Sequence, residues 1–132
     1  MLFVPLLAAM LAGSHAQVDS DIAYRSDQFP YSKSAYQTGQ VDAEADLHAD
    51  RLVIEDFGFP RKGQAEYAEI LQRRYRVELR RVASDIVDLK AYGHAFGYND
   101  VSKQEIKRRF GDNILEKAQE EAAKRYDEQQ SK

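Results

Sequence analysis

The 132-residue chain contains no cysteine and no tryptophan, and only three prolines and three histidines. Without cysteine there is no disulfide framework, no thiolate-ligated zinc or iron–sulfur site and no thiol nucleophile. Neither charge dominates: 22 acids face 19 bases, for a net charge of −3. That balance argues against a bulk nucleic-acid binder and against an acidic tail protein. No glycine-rich phosphate loop, paired-histidine zinc motif or nucleophile elbow occurs. After residue 16 the only histidines are His48 and His94, so a multi-histidine site is excluded. No cofactor and no metal are implied.

The longest apolar run, residues 2–12 (LFVPLLAAMLA), is shorter than the roughly 20 residues a membrane-spanning helix needs. Small residues Ser14 and Ala16 follow it and place a cleavage site before Gln17. Residues 1–16 therefore read as a secretory signal peptide, although no Lys or Arg precedes the apolar run. Pro5 argues against the alternative, an N-terminal core helix. The expected mature chain, 17–132, is secreted or periplasmic and has no transmembrane segment.

Residues 17–40, rich in Ser, Gln, Asp and Tyr, show no apolar period and read as a flexible polar lead-in. Tyr24, Phe29, Tyr31 and Tyr36 are its possible anchors. A single small globular domain is expected over 41–128, with a frayed tail at 129–132. Segment 17–50 holds seven acids (Asp19, Asp21, Asp27, Asp42, Glu44, Asp46, Asp50) and two bases (Arg25, Lys33); the remainder is slightly basic.

Ala45, Ala49, Leu52 and Val53 suggest a short helix over 41–56, ended by Phe57-Gly58-Phe59-Pro60. From Gln64 to Tyr92 there is neither Gly nor Pro, and Leu71, Tyr75, Leu79, Val82, Ile86 and Leu89 recur at helical spacing. A rival pattern is present, because Tyr75, Val77 and Leu79 alternate with charged residues as in a strand. The fold expected first is mainly α, a small helical domain. The alternative is α+β, with a short strand at 75–83 paired to 52–55. Residues 93–100, with Gly93 and Gly97, read as a loop. Ser102 and Glu105 read as a capping box, Gly111 as a helix stop, and Asp112 or Asn113 as the cap of a last helix carrying Leu115, Ala118, Ala122 and Tyr126.

Four constellations carry chemistry. On a helix, Arg73, Arg76 and Arg80 share one face suited to phosphate or carboxylate. The partner would be an acidic protein or an anionic envelope component, or the chain's own acidic segment at 42–50. Asp42, Glu44, Asp46, His48 and Asp50 invite comparison with a calcium loop, but Leu47 and Val53 stand where that loop needs Gly and Glu. Tyr92, His94, Tyr98 and Asn99 form a candidate loop site, in which His94 can serve as a base oriented by Asp100. Residues 101–121 resemble a helix-turn-helix pair, whose second helix would enter the major groove. Here that helix carries Asp112, Glu116, Glu120 and Glu121, so no nucleic acid is expected. The leading expectation is a non-enzymatic binding or accessory protein of the cell envelope or secretome. The alternatives are a small hydrolase-like enzyme using His94 and a carboxylate, and a cytoplasmic nucleic-acid binder using Lys107, Arg108 and Arg109.

Overall fold

The computed structural model describes residues 20–27, 29–83 and 88–132. The expected signal peptide lies outside them. The described chain is mainly helical with a few short strands. In order these are β1 (Ile22–Tyr24), β2 (Pro30–Ser32), α1 (Lys33–His48), β3 (Leu52–Phe57), α2 (Gln64–Tyr75), β4 (Val77–Ala83), α3 (Leu89–Phe110) and α4 (Ile114–Gln130). Among the described residues no helix is long and apolar enough to cross a membrane.

The helix expected over 64–92 is corrected, and the rival strand pattern is the arrangement observed. α2 ends at Tyr75, and Arg76 takes a left-handed conformation (φ 53°) that turns the chain directly into β4. β4 lies parallel to β3, in register from Leu52 opposite Val77 to Asp56 opposite Arg81, with an irregularity between Asp56 and Phe57. Parallel strands require a crossover, and α2 supplies it. The helix expected over 41–56 is also corrected. α1 stops at His48, Asp50 turns with φ 56°, and the β-branched run Val53-Ile54 lies within a strand.

The polar segment 17–40 contains ordered structure. β1 and β2 pair antiparallel, and α1 starts at Lys33. Ser32 is the N-cap of α1, its hydroxyl accepting from the Ala35 amide at 3.2 Å. Asp21 adds a second cap, accepting from the Ser34 amide at 2.8 Å and from the Ser32 and Ser34 hydroxyls. Aromatic rings fix the hairpin to the body: Phe29 packs edge-on against Tyr92 and Phe96, and Tyr31 edge-on against Phe96 and tilted against Tyr36.

The loop expected at 93–100 is the interior of α3, a helix capped by Asp88 through the Ala91 amide at 2.7 Å. Its glycines serve packing. A Cβ on Gly93 would strike the Ser32 carbonyl, and one on Gly97 the Tyr36 carbonyl. A Cβ on Gly39, on the facing helix, would lie 2.8 Å from the Tyr98 amide nitrogen. The nearest atom to that Cβ would be the His94 carbonyl oxygen, so α1 and α3 pack with their backbones close. Ser102 is not an N-cap but a mid-helix residue whose hydroxyl donates to the Val53 carbonyl. Gly111 ends α3 as expected, and Asn113 precedes α4 without a side-chain cap bond.

The small sheet separates two clusters. On one side Leu52, Ile54 and Val77 pack with Tyr67, Ile70 and Leu71 of α2, Ile106 of α3, and Leu115, Ala118 and Ala122 of α4. On the other, Val53 meets Ala43 and Tyr98. α3 belongs to both sides because it runs past the outer edge of β3.

Gly97→Ala tests the close approach of α1 and α3. Alanine gains about 1 kcal/mol of helix propensity over glycine, yet the variant is expected to lose about 3 kcal/mol by urea unfolding through overpacking against fixed backbone. Gly111→Ala, where no atom lies within 4 Å but the backbone (φ 111°, ψ 154°) is one that essentially only glycine adopts, is expected to lose about 1–3 kcal/mol from strain alone. A Gly97→Ala variant as stable as the wild type would contradict the packing described.

Candidate functional site

β3 carries two acids into the interior: Glu55 is 5% and Asp56 7% exposed. Buried carboxylates require matched charge and hydrogen bonds, and neighbouring elements supply them. Neighbours in a strand point to opposite faces, so each acid has its own set of partners.

Glu55 faces α3 and accepts from His94 Nδ1 at 2.5 Å. The other ring nitrogen, Nε2, lies 2.7 Å from Asp42 of α1. Both ring nitrogens meet carboxylates, which accept but do not donate, so the arrangement holds the imidazolium. Burial alone lowers the His94 pKa, and the hydrogen bonds to Asp42 and Glu55 outweigh it, so the net shift is upward. Asp100 does not orient His94, which corrects that expectation. It accepts instead from Arg25 at 2.6 Å and from the Tyr36 hydroxyl at 2.6 Å. Burial raises the Asp100 pKa, but these two partners reverse that and lower it. With both nitrogens engaged, His94 ties α1, α3 and β3 together and presents no free base.

Asp56 faces the start of α2. Arg61 donates to it at 3.0 Å and Arg81 at 3.2 Å, and the Gln64 amide donates as well. Arg81 also donates to the Gly58 carbonyl, bracing the turn between β3 and α2.

Tyr98 and Asn99, the other two buried members of the proposed loop site, are structural. The Tyr98 hydroxyl donates to Asp46 at 2.6 Å, and burial together with that carboxylate raises its pKa strongly. Asn99 accepts from the Glu55 amide at 2.8 Å and donates to the Glu55 carbonyl at 2.7 Å. Tyr92 stacks on Phe96 at 5.9 Å.

The three arginines do not share a face. Arg73 is exposed and pairs with Glu69 at 3.3 Å. Arg76 forms the left-handed turn. Arg80 sits on β4, 3.9 Å from Asp46 and 3.7 Å from Glu78. One acid of the 42–50 segment, Asp46, therefore reaches one of the three arginines. Two of the three bases before Gly111 are paired: Arg108 and Arg109 both bind Glu105, and Arg109 reaches Asp50 at 3.4 Å. Glu105 thus holds arginines rather than closing a capping box. Among the described residues no group of three or more His, Asp or Glu is placed to hold a metal ion.

Of the cations lining one pocket, Lys103 alone makes no ion pair among the described residues. This pocket, of about 280 Å³, opens at the carboxyl end of β3, where its lining includes Arg25, Arg61, Asn99, Lys103 and Gln119, with Phe57, Phe96 and Tyr67 as aromatic wall. Its three acids, Glu55, Asp56 and Asp100, are occupied by the pairs above. Lys103, one helical turn beyond Asn99 and half-buried, has no ion pair among the described residues. Burial lowers its pKa, and the nearby charges of Arg61 and Lys107 lower it further, against a smaller opposing pull from Asp56 and Asp100. A second hollow of about 270 Å³ shares Arg61, Tyr67 and Gln119 with this pocket. The sequence reading missed Lys103, because a single lysine in a helix carries no local signal of burial.

Set against protein-family models, curated proteins and solved structures, the chain matches none of them.

The His94 bridge has a pH signature. A raised folded-state pKa means that the stability His94 contributes is fully present below its unfolded value of about 6.5. It is lost as pH rises through the folded value. The urea midpoint of the wild type minus that of His94→Gln is therefore expected to be largest near pH 6 and to shrink towards pH 9. A gap that widens with pH would show that His94 is held neutral.

Proposed function

We propose that this protein is a small non-enzymatic binding module that holds an anionic group, a phosphate or a carboxylate, in the pocket at the carboxyl end of β3. Lys103 carries this reading. It is a half-buried cation beside Arg61 and Lys107 that makes no ion pair among the described residues, and the carboxylates nearest it, Asp56 and Asp100, are bonded to other donors. Burying a cation beside like charges is unfavourable, and an anion entering from solvent relieves it. Arg61 and Arg25 border the same space with further donors, and the rings of Phe57, Phe96 and Tyr67 offer an apolar wall for the body of the ligand. The position, just beyond the end of a parallel strand and beside the first turn of the following helix, is where α/β units commonly bind ligands.

The anionic partner expected from the sequence is kept, but the binding surface moves from Arg73, Arg76 and Arg80 to Arg61 and Lys103. A hydrolytic reading centred on His94 loses support because both ring nitrogens are already bonded.

Calorimetric titration with inorganic phosphate at low ionic strength tests the proposal. Binding is expected to weaken as sodium chloride is added. It should weaken by about tenfold or more in Lys103→Met, from the loss of a charged hydrogen-bond donor. Lys103→Met removes like-charge repulsion and keeps the apolar stem, so it should fold. Exposed Lys117→Met should bind like the wild type. No heat in the wild type, or an unchanged affinity in Lys103→Met, would refute the reading.

A further inference from the structure

The two edges of the β3–β4 sheet are treated differently. The outer edge of β3 is closed by α3, through Asn99 on both backbone groups of Glu55 and Ser102 on the Val53 carbonyl. The outer edge of β4 has no such cover over Val77–Arg80: among the described residues no strand pairs with it and no backbone–backbone hydrogen bond leaves these four residues.

The register says which groups are exposed there. Val53 and Glu55 turn their backbone groups towards α3, so Leu52, Ile54 and Asp56 turn theirs towards β4. In a parallel ladder, the residue opposite an inward-facing one faces away. Leu52, Ile54 and Asp56 lie opposite Val77, Leu79 and Arg81. The amide and carbonyl of Leu79 are therefore directed outward at the middle of this edge. An uncovered edge of this kind is a template for another strand, and a two-stranded sheet is marginal without one.

We infer that a second copy of this chain pairs with the edge, β4 against β4 antiparallel about a two-fold axis at Leu79, giving a four-stranded sheet across the dimer. The strand is complementary to itself in that register. Two copies of Leu79 exchange both backbone bonds, and Glu78 of each chain lies directly opposite Arg80 of the other. Glu78 and Arg80 are accessible for this, with side chains 56% and 36% exposed. Opposite charges in directly facing positions stabilise antiparallel pairs. A mostly apolar hollow of about 330 Å³ between α2 and β4, lined by Pro60, Ala65, Ala68 and Leu79 with Gln64 and Arg81 at its side, borders the same edge and can receive the second Leu79. Phe59, 76% exposed beside it, supplies additional apolar surface. The pairing does not involve Lys103 and is independent of anion binding.

Sedimentation analysis of the full chain across a wide concentration range tests the inference, together with hydrogen exchange at the Leu79 amide. A reversible dimer is expected, with the Leu79 amide protected more strongly as concentration rises. Glu78→Lys sets like charges opposite Arg80 and should raise the dimer dissociation constant by about tenfold or more. Its β3–β4 amides should stay as protected as in the wild-type monomer. A chain monomeric throughout overturns the inference. So does a dimer whose Leu79 amide exchanges freely, or one that Glu78→Lys leaves unchanged, since either would place the interface elsewhere.

Discussion

Burying β3 is the constraint on which the rest of the structure depends. All five residues from Leu52 to Asp56 are buried, including two carboxylates, and one edge of the strand has no neighbouring strand. Each feature alone would cost several kcal/mol if left unmatched. The fold answers from several directions: Asn99, Ser102 and His94 come from α3, Gln64 from α2, Arg61 from the preceding turn and Arg81 from β4. Asp42 of α1 enters at one remove, through the far nitrogen of His94. Among the described residues no buried side-chain nitrogen or oxygen lacks a partner.

That requirement accounts for the helix geometry. For α3 to present Asn99 and Ser102 to the edge of β3 and also hold α1, its spine must approach α1 closely. Glycines at 93 and 97 face Ser32 and Tyr36, and Gly39 faces His94 and Tyr98. The same placement carries Lys103 one turn beyond Asn99 into the pocket, where the acids are already matched. The site proposed for an anion is thus a consequence of how the core is satisfied.

The parts legible in the sequence were those marked by ordinary signals. Gly111 ended a helix, and Leu115, Ala118 and Ala122 marked the buried face of α4. The alternation Val77–Glu78–Leu79–Arg80 and its partner at 52–55 could be read, but the longer helical tally competed with it. That tally failed because the break between α2 and β4 is made by Arg76 in a left-handed conformation, a position where glycine would have been visible. α1 was hidden for a different reason: its buried residues are Gly39, Ala43 and Asp46, too small or too polar to form an apolar stripe. The two glycines of α3 looked like loop punctuation because close backbone packing and chain turning call for the same residue. Of the proposed site residues, His94, Tyr98 and Asn99 do lie at the centre of the structure, but as its internal partners. The acid partners of His94 and Tyr98 lie 39 to 52 residues away along the chain, and no local pattern encodes those contacts.

The pairing of Asn99 with the backbone of β3 is the most direct point of test. Native-state hydrogen exchange of the Glu55 amide, in the wild type and in Asn99→Ala, measures it. The account predicts that the wild-type amide exchanges only through global unfolding, and that in Asn99→Ala it exchanges far faster than the overall loss of stability explains. A Glu55 amide that exchanges readily in the wild type, or that follows only global stability in Asn99→Ala, would mean that α3 does not close this edge.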